Sequence, residues 1–212
     1  MKEQLASSME GPTTSPHRSG SGARIAAIGA IWLLIAIGAG ASGAVAKLRP
    51  PLPQILLIGL TAALLMGFWK TKDFRSWLWA LSPRYFLLLH LTRFVGAYLL
   101  FLSVRGRLPY AFAVPAGWGD IMVAGTAVII LGLSPGSKVG RRCYVAWNFV
   151  GFLDILFVVV TAARLSLSQP HSMDALLALP LSLLPTFLVP IIIASHVILF
   201  CKLSRGPEGN GN

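Results

Sequence analysis

The sequence predicts an all-α polytopic membrane protein, a bundle of six transmembrane helices. Three observations carry that prediction: a shortage of charge, six apolar stretches of membrane-crossing length, and an uneven distribution of Lys and Arg. Of 212 residues, 55% are hydrophobic and only 12% charged, and the mean hydropathy is +0.72. Soluble domains carry about 25% charged residues, so this chain lacks the surface that water would solvate. An ordinary soluble enzyme, a disordered chain and a disulfide-rich secreted module are thereby excluded.

A helix needs about 20 mostly apolar residues to cross the hydrocarbon layer. The first such stretch is 25–46, between Arg24 and Lys47. The second is 52–69, closed by Lys70 and Lys72, and the third is 85–104, between Arg84 and Arg105. The fourth, 113–133, stops before the turn sequence Ser134-Pro135-Gly136. The fifth is 143–163, between Arg142 and Arg164, and the sixth is 175–201, ahead of Lys202 and Arg205. None of them alternates in polarity as a barrel strand does, and a helix pairs its own backbone groups inside lipid. Together they define a membrane domain over 24–204. The flanking 1–23, rich in Ser, Thr, Gly and Pro, is predicted to be a disordered cytoplasmic tail, and 205–212 a short cytoplasmic one.

The first stretch has some features of a signal peptide: a basic flank, an apolar run and the small residues Ala44-Val45-Ala46. Its long polar leader and the length of the run favour an uncleaved span. Between the second and third stretches, 73–81 is expected to lie in the interface as a short helix, with Trp77 and Leu78 dipping toward the apolar side. Trp69, Trp77 and Trp79 suit an interfacial belt.

The basic residues divide by loop. Twelve fall in the two tails and in the second and fourth loops, five in the alternate loops, and Arg93 alone lies within a span. By the positive-inside rule both termini are cytoplasmic, and the expected location is the inner membrane. The formal charge of +11 is spread over helix ends facing lipid headgroups. No compact basic patch is left for nucleic acid, so the bilayer is the partner this composition demands. A small solute, a proton and a second copy of the chain stay open as further partners. Cys143 and Cys201 lack CxxC spacing and read as reduced packing residues.

Ionisable groups at bilayer depth are costly, and each is a candidate for function. Here they are His90 and Arg93 in the third stretch, Asp120 in the fourth, Asp154 in the fifth and His196 in the sixth, with Asn148 beside them in the fifth. Counting from the flanking charges puts His90, Asn148 and His196 in one layer, roughly 9 Å inside the boundary. Arg93, Asp120 and Asp154 form a deeper layer. Phe86, His90, Arg93 and Ala97 follow helical spacing along one stripe, and Gly117, Asp120, Ala124 and Ala127 along another. A short echo, G-x-x-D-I, relates 117–121 to 151–155 on helices running in opposite directions, a pattern that inverted-repeat transporters also show. Pro180, Pro185 and Pro190 predict a kinked sixth helix, with freed carbonyls at Leu176, Leu181 and Thr186.

One Arg between two aspartates leaves one negative charge, or one shared proton, which suits a proton relay or cation site as well as a structural ion pair. His90 and His196 are the candidate metal ligands, either as axial ligands of a haem or with a carboxylate around zinc or iron. Neither helix has H-x3-H or E-x-x-H spacing, so no cofactor is required. Ser195 adjoins His196 but points elsewhere on the helix, and no G-x-S-x-G, H-E-x-x-H or phosphate-binding loop is present. The sequence therefore leans away from an enzyme.

Three motifs carry a resemblance: Pro115-x-Gly117-x-Gly119-Asp120, Trp147-Asn148-x-x-Gly151-x-x-Asp154, and Pro185-Thr186-Phe187-Leu188-Val189-Pro190 followed by His196. In these the chain resembles uncharacterised bacterial six-helix inner-membrane proteins, a likeness that implies the fold and draws attention to these residues but assigns no activity. The leading expectation is transport or sensing of a small solute or proton through helices three to six. An intramembrane metal or haem protein with enzymatic or redox activity is the alternative, and a structural subunit of a membrane complex is a third reading.

Overall fold

The computed structural model describes residues 17–169 and 171–205. The chain runs through α1 (His17–Ala41), α2 (Leu52–Lys70), α3 (Lys72–Ala80), α4 (Pro83–Leu89), α5 (Gly96–Val104), α6 (Tyr110–Leu131), α7 (Lys138–Ser168) and α8 (Val189–Ser204). A 3-10 segment, His90–Val95, joins α4 to α5 into a single span, and a π turn, Leu184–Leu188, leads into α8. Six helices are long and apolar enough to cross a membrane, and no strand occurs among the described residues. This is a multi-pass membrane architecture.

Local chemistry sets the boundaries. Ser82 and Ser137 cap α4 and α7 by accepting from the backbone N–H of Arg84 and Gly140. Pro51 precedes α2 and Pro109 precedes α6, where a missing N–H costs nothing. α7 has 31 residues. At 1.5 Å each that is about 46 Å, enough to pass through both headgroup regions. Helix α3 is a short helix between the second and third spans, with Leu78 buried and Phe74 packed on the core.

Three elements depart from the sequence expectation. α1 begins at His17, inside the stretch read as a disordered tail, and ends at Ala41, short of Ala46. The remainder of that tail, 1–16, lies outside the described residues, as do 206–212 of the C-terminal one. The sixth span begins at Leu184 instead of near 175, because 178–182 forms a bend and turns around Pro180. The third span is broken in its middle by the 3-10 segment instead of running as one α-helix.

Helix α8 is the axis of the bundle. Within its most apolar stretch 56% of residues are buried in the protein, against 6% in α1. Two apolar cores pack around it. One gathers Phe86, Leu87, Tyr144, Trp147 and Leu199 toward the end that holds Arg24, Arg141 and Lys202. The other gathers Leu99, Phe112, Ile155, Val158 and Ile192 toward the opposite end, where Arg49 meets Asp174. Between them lies a polar waist.

Candidate functional site

The waist is built from the break in the third span. In a 3-10 helix residues three apart eclipse one another, so His90 and Arg93 project from the same side. Burial then recurs at His90, Arg93, Gly96, Leu99 and Leu102. The stripe expected from α-helical spacing ended on Ala97, which is exposed; the tighter turn puts Gly96 there instead. That substitution is useful, because Gly96 meets Gly117 of α6 backbone to backbone. A Cβ on Gly117 would stand 2.8 Å from the Gly96 carbonyl oxygen, closer than real side chains approach. The close contact draws Arg93, three residues before Gly96, against Asp120, three residues after Gly117.

Arg93 is 1% exposed, and it is fully engaged by two helices. Nε donates to Asp120 Oδ1 at 2.6 Å, Nη1 donates to the Gly151 carbonyl at 3.1 Å, and Nη2 donates to Asp154 Oδ2. Both halves of the G-x-x-D-I echo therefore deliver their aspartate to one guanidinium, and in both the glycine marks a tight contact. Gly151 lies under His196, where a Cβ would come within 2.9 Å of the ring. The Asp154 side chain is 17% exposed against 8% for Asp120, so it is the more accessible carboxylate.

The second layer is next to the first. The His90 and His196 rings lie 4.3 Å apart, centroid to centroid, with Trp147 edge-on to His90 at 4.9 Å. Asn148 donates from Nδ2 to the His196 carbonyl at 3.0 Å, which leaves its Oδ1 to accept from His196 Nδ1 at 2.8 Å. His196 thus keeps a bare Nε2. Ser195 donates to the Ile192 carbonyl at 2.7 Å, so the 3.1 Å contact between its Oγ and His90 Nε2 has the imidazole as donor. His90 thus keeps a bare Nδ1. Both bare nitrogens are buried without a partner.

All six residues singled out in the sequence meet in this waist. Ser195 also belongs there, paired with His90 of another span. The sequence argument considered only its relation to His196 on the same helix. Because His90 donates to Ser195, the pair is not a base activating a nucleophile. A haem between the two histidines is ruled out by the ring contact itself, since axial ligands face each other across the macrocycle. Two of the three carbonyls expected to be freed in the sixth span have partners within the protein. Trp32 of α1 donates to the Thr186 carbonyl at 3.0 Å, and the Leu184 N–H donates to that of Leu181 at 2.9 Å.

Residues 50–204 match the family described as Domain of unknown function (DUF8737), a stretch that holds every member of the waist. The chain belongs to that family. No curated protein and no solved structure matches it.

Two cavities of the chain approach the DUF8737 waist. One, of about 570 Å³, opens beside Arg49, His171 and Asp174 and descends to Arg93 and Asp120. The other, of about 820 Å³, opens beside Arg24 and Asp73 and stops at Ser195, the partner of His90. The DUF8737 segment and α1 share the lining of the second cavity, whereas the first is lined by residues of the family segment apart from Arg49 at its mouth.

Proposed function

We propose that this protein moves or senses a small solute or proton across a bacterial inner membrane, with both termini in the cytoplasm. The observation that carries the proposal is the Arg93 guanidinium held between Asp120 and Asp154 at the foot of a cavity. A structural ion pair needs one carboxylate. The second leaves a charge that only a proton or a cation balances, in a place where an uncompensated charge is costly. Further support comes from the two cavities, which reach the waist from opposite ends, and from the broken third span within it, since discontinuous helices mark the binding sites of many transporters. The cytoplasmic assignment of the termini rests on the twelve-to-five division of Lys and Arg.

Proteoliposomes loaded with a pH-sensitive dye test the reading. An imposed pH gradient is expected to collapse faster than in empty vesicles, and Asp154→Asn is expected to remove the difference while the protein stays folded. Identical traces for wild type and empty vesicles would sink the proton form of the proposal.

The bare nitrogens of His90 and His196 favour a second reading, a transition-metal ion bound by two imidazoles. Among the described residues no group of three or more metal-ligating side chains gathers, so the ion would complete its shell with other ligands. Elemental analysis after a chelator wash decides: stoichiometric zinc or iron that disappears in His196→Ala supports it, and a metal-free protein removes it.

A further inference from the structure

We infer that the cavity between the Arg49–Asp174 end and the waist is a binding site for a lipophilic cation, an amphipathic amine whose alkyl body fills the cavity and whose ammonium head rests against Asp120. The inference names a substrate class for the site proposed above, and it rests on the reading of the waist as a place where a cation is balanced.

The size and walls of the cavity come first. About 570 Å³ is within the usual range for small-molecule sites, roughly 300–1,000 Å³. Its walls are Leu57 of α2, Leu99 of α5, Phe112 of α6, Val158 of α7 and Ile192 of α8. Such a surface offers water too few partners, and cavities of that kind favour apolar guests. The polar side chains between its two ends are few, Gln54, Thr92 and Ser166, and Gln54 and Ser166 bond each other, so a sugar finds little to bond to whereas an alkyl chain gains contact along most of the wall.

The polar groups at the two ends then choose the head. At the floor the guanidinium is spent on two carboxylates and a carbonyl, while Asp120 engages it through Oδ1 alone. The cluster holds one positive and two negative groups, so it attracts a cation and repels an anion. Higher on the wall Gln54 gives its Nε2 to Ser166 at 2.6 Å and is left with a buried Oε1 that has no partner. Ser166 stands twelve residues, about 18 Å, along α7 from Asp154, so that oxygen is out of reach of a head on Asp120, and the floor carboxylate is the seat of the cation. The competing head is an anion on Arg49 at the mouth. Asp174 already faces Arg49 at 4.0 Å, and nothing along the cavity below it is positive except the neutralised Arg93.

The test uses the full chain in lipid nanodiscs with three probes of equal chain length: decylammonium, decanol and decanoate. Binding is read as saturable uptake above that of empty nanodiscs. Decylammonium is expected to saturate near one equivalent and to bind at least tenfold more tightly than either of the others. Asp120→Asn should bring the amine down to the level of decanol. The preference of the unsubstituted chain among the three probes, read together with Val159→Trp below, keeps the inference testable if Asp120→Asn fails to fold. Val159→Trp, which fills the cavity, should abolish saturable binding of all three. Equal affinity for the three probes, a preference for decanoate, or uptake that survives Val159→Trp each overturns the inference. Saturable amine binding without proton flux in the liposome assay defeats the proton form of the reading and leaves this site standing. Flux without amine binding does the reverse.

Discussion

Arg93 organises the waist through geometry as much as through charge. Its planar fork reaches two carboxylates and a carbonyl at once, which the single ammonium of a lysine cannot reproduce. Removing one member of a buried ion pair leaves the other uncompensated, a loss of about 3–5 kcal/mol. Arg93→Ala is therefore expected to lower the thermal midpoint of the protein in detergent by several degrees. Arg93→Lys should recover only a small part of that loss, as followed by fluorescence-detected melting; full rescue by lysine would show that charge alone suffices. The identity of these residues was legible in the sequence because an ionisable group stands out sharply in an apolar run. Their partners were less so. His90 to Ser195 and Asn148 to His196 are contacts between spans, and helical spacing places residues on a face without saying which helix the face meets.

Among the elements, the six spans were legible because lipid allows so few solutions for a buried backbone. The breaks within them were not. Nothing in 90–95 breaks a helix by composition, and the 3-10 turn there goes with the contact of Gly96 against Gly117, which is tertiary. The start of the sixth span was misplaced because the apolar run extends back across Pro180 into a 3-10 segment, Asp174–Leu177, and the turns that follow it. Its π turn leaves the Thr186 carbonyl to Trp32, so α1, otherwise the least buried helix, holds the approach to α8 in place. Trp32→Phe keeps an aromatic ring facing Phe187, with which Trp32 packs at 4.9 Å, but removes the donor. The expected cost is about 1–2 kcal/mol for an unsatisfied buried carbonyl. Hydrogen exchange should show faster exchange confined to the 184–190 backbone. Uniform acceleration along α8 would instead mean that the indole supports the whole helix.

For the whole molecule, the proposed orientation yields a direct measurement. In a background lacking Cys143 and Cys201, a cysteine at Ser172 is expected to react with a membrane-impermeant thiol reagent added to intact cells. A cysteine at Ser134 should react only after the membrane is opened, and the opposite pattern would invert the topology. The polar waist also constrains how the protein is made. Arg93 reaches the membrane 27 residues ahead of Asp120 and 61 ahead of Asp154. At about 5–20 residues per second, the arginine waits a few seconds for its first carboxylate and up to about 12 s for its second. A lone charge at the centre of an inserted helix is unfavourable by about 2.5–3.5 kcal/mol even on insertion scales. The charge thus cancels a large part of what the apolar residues of the third span gain on insertion, and α6 and α7 carry a similar cost without it. The ion pair gives these three spans a shared reason to enter lipid together, once the last aspartate has been synthesised.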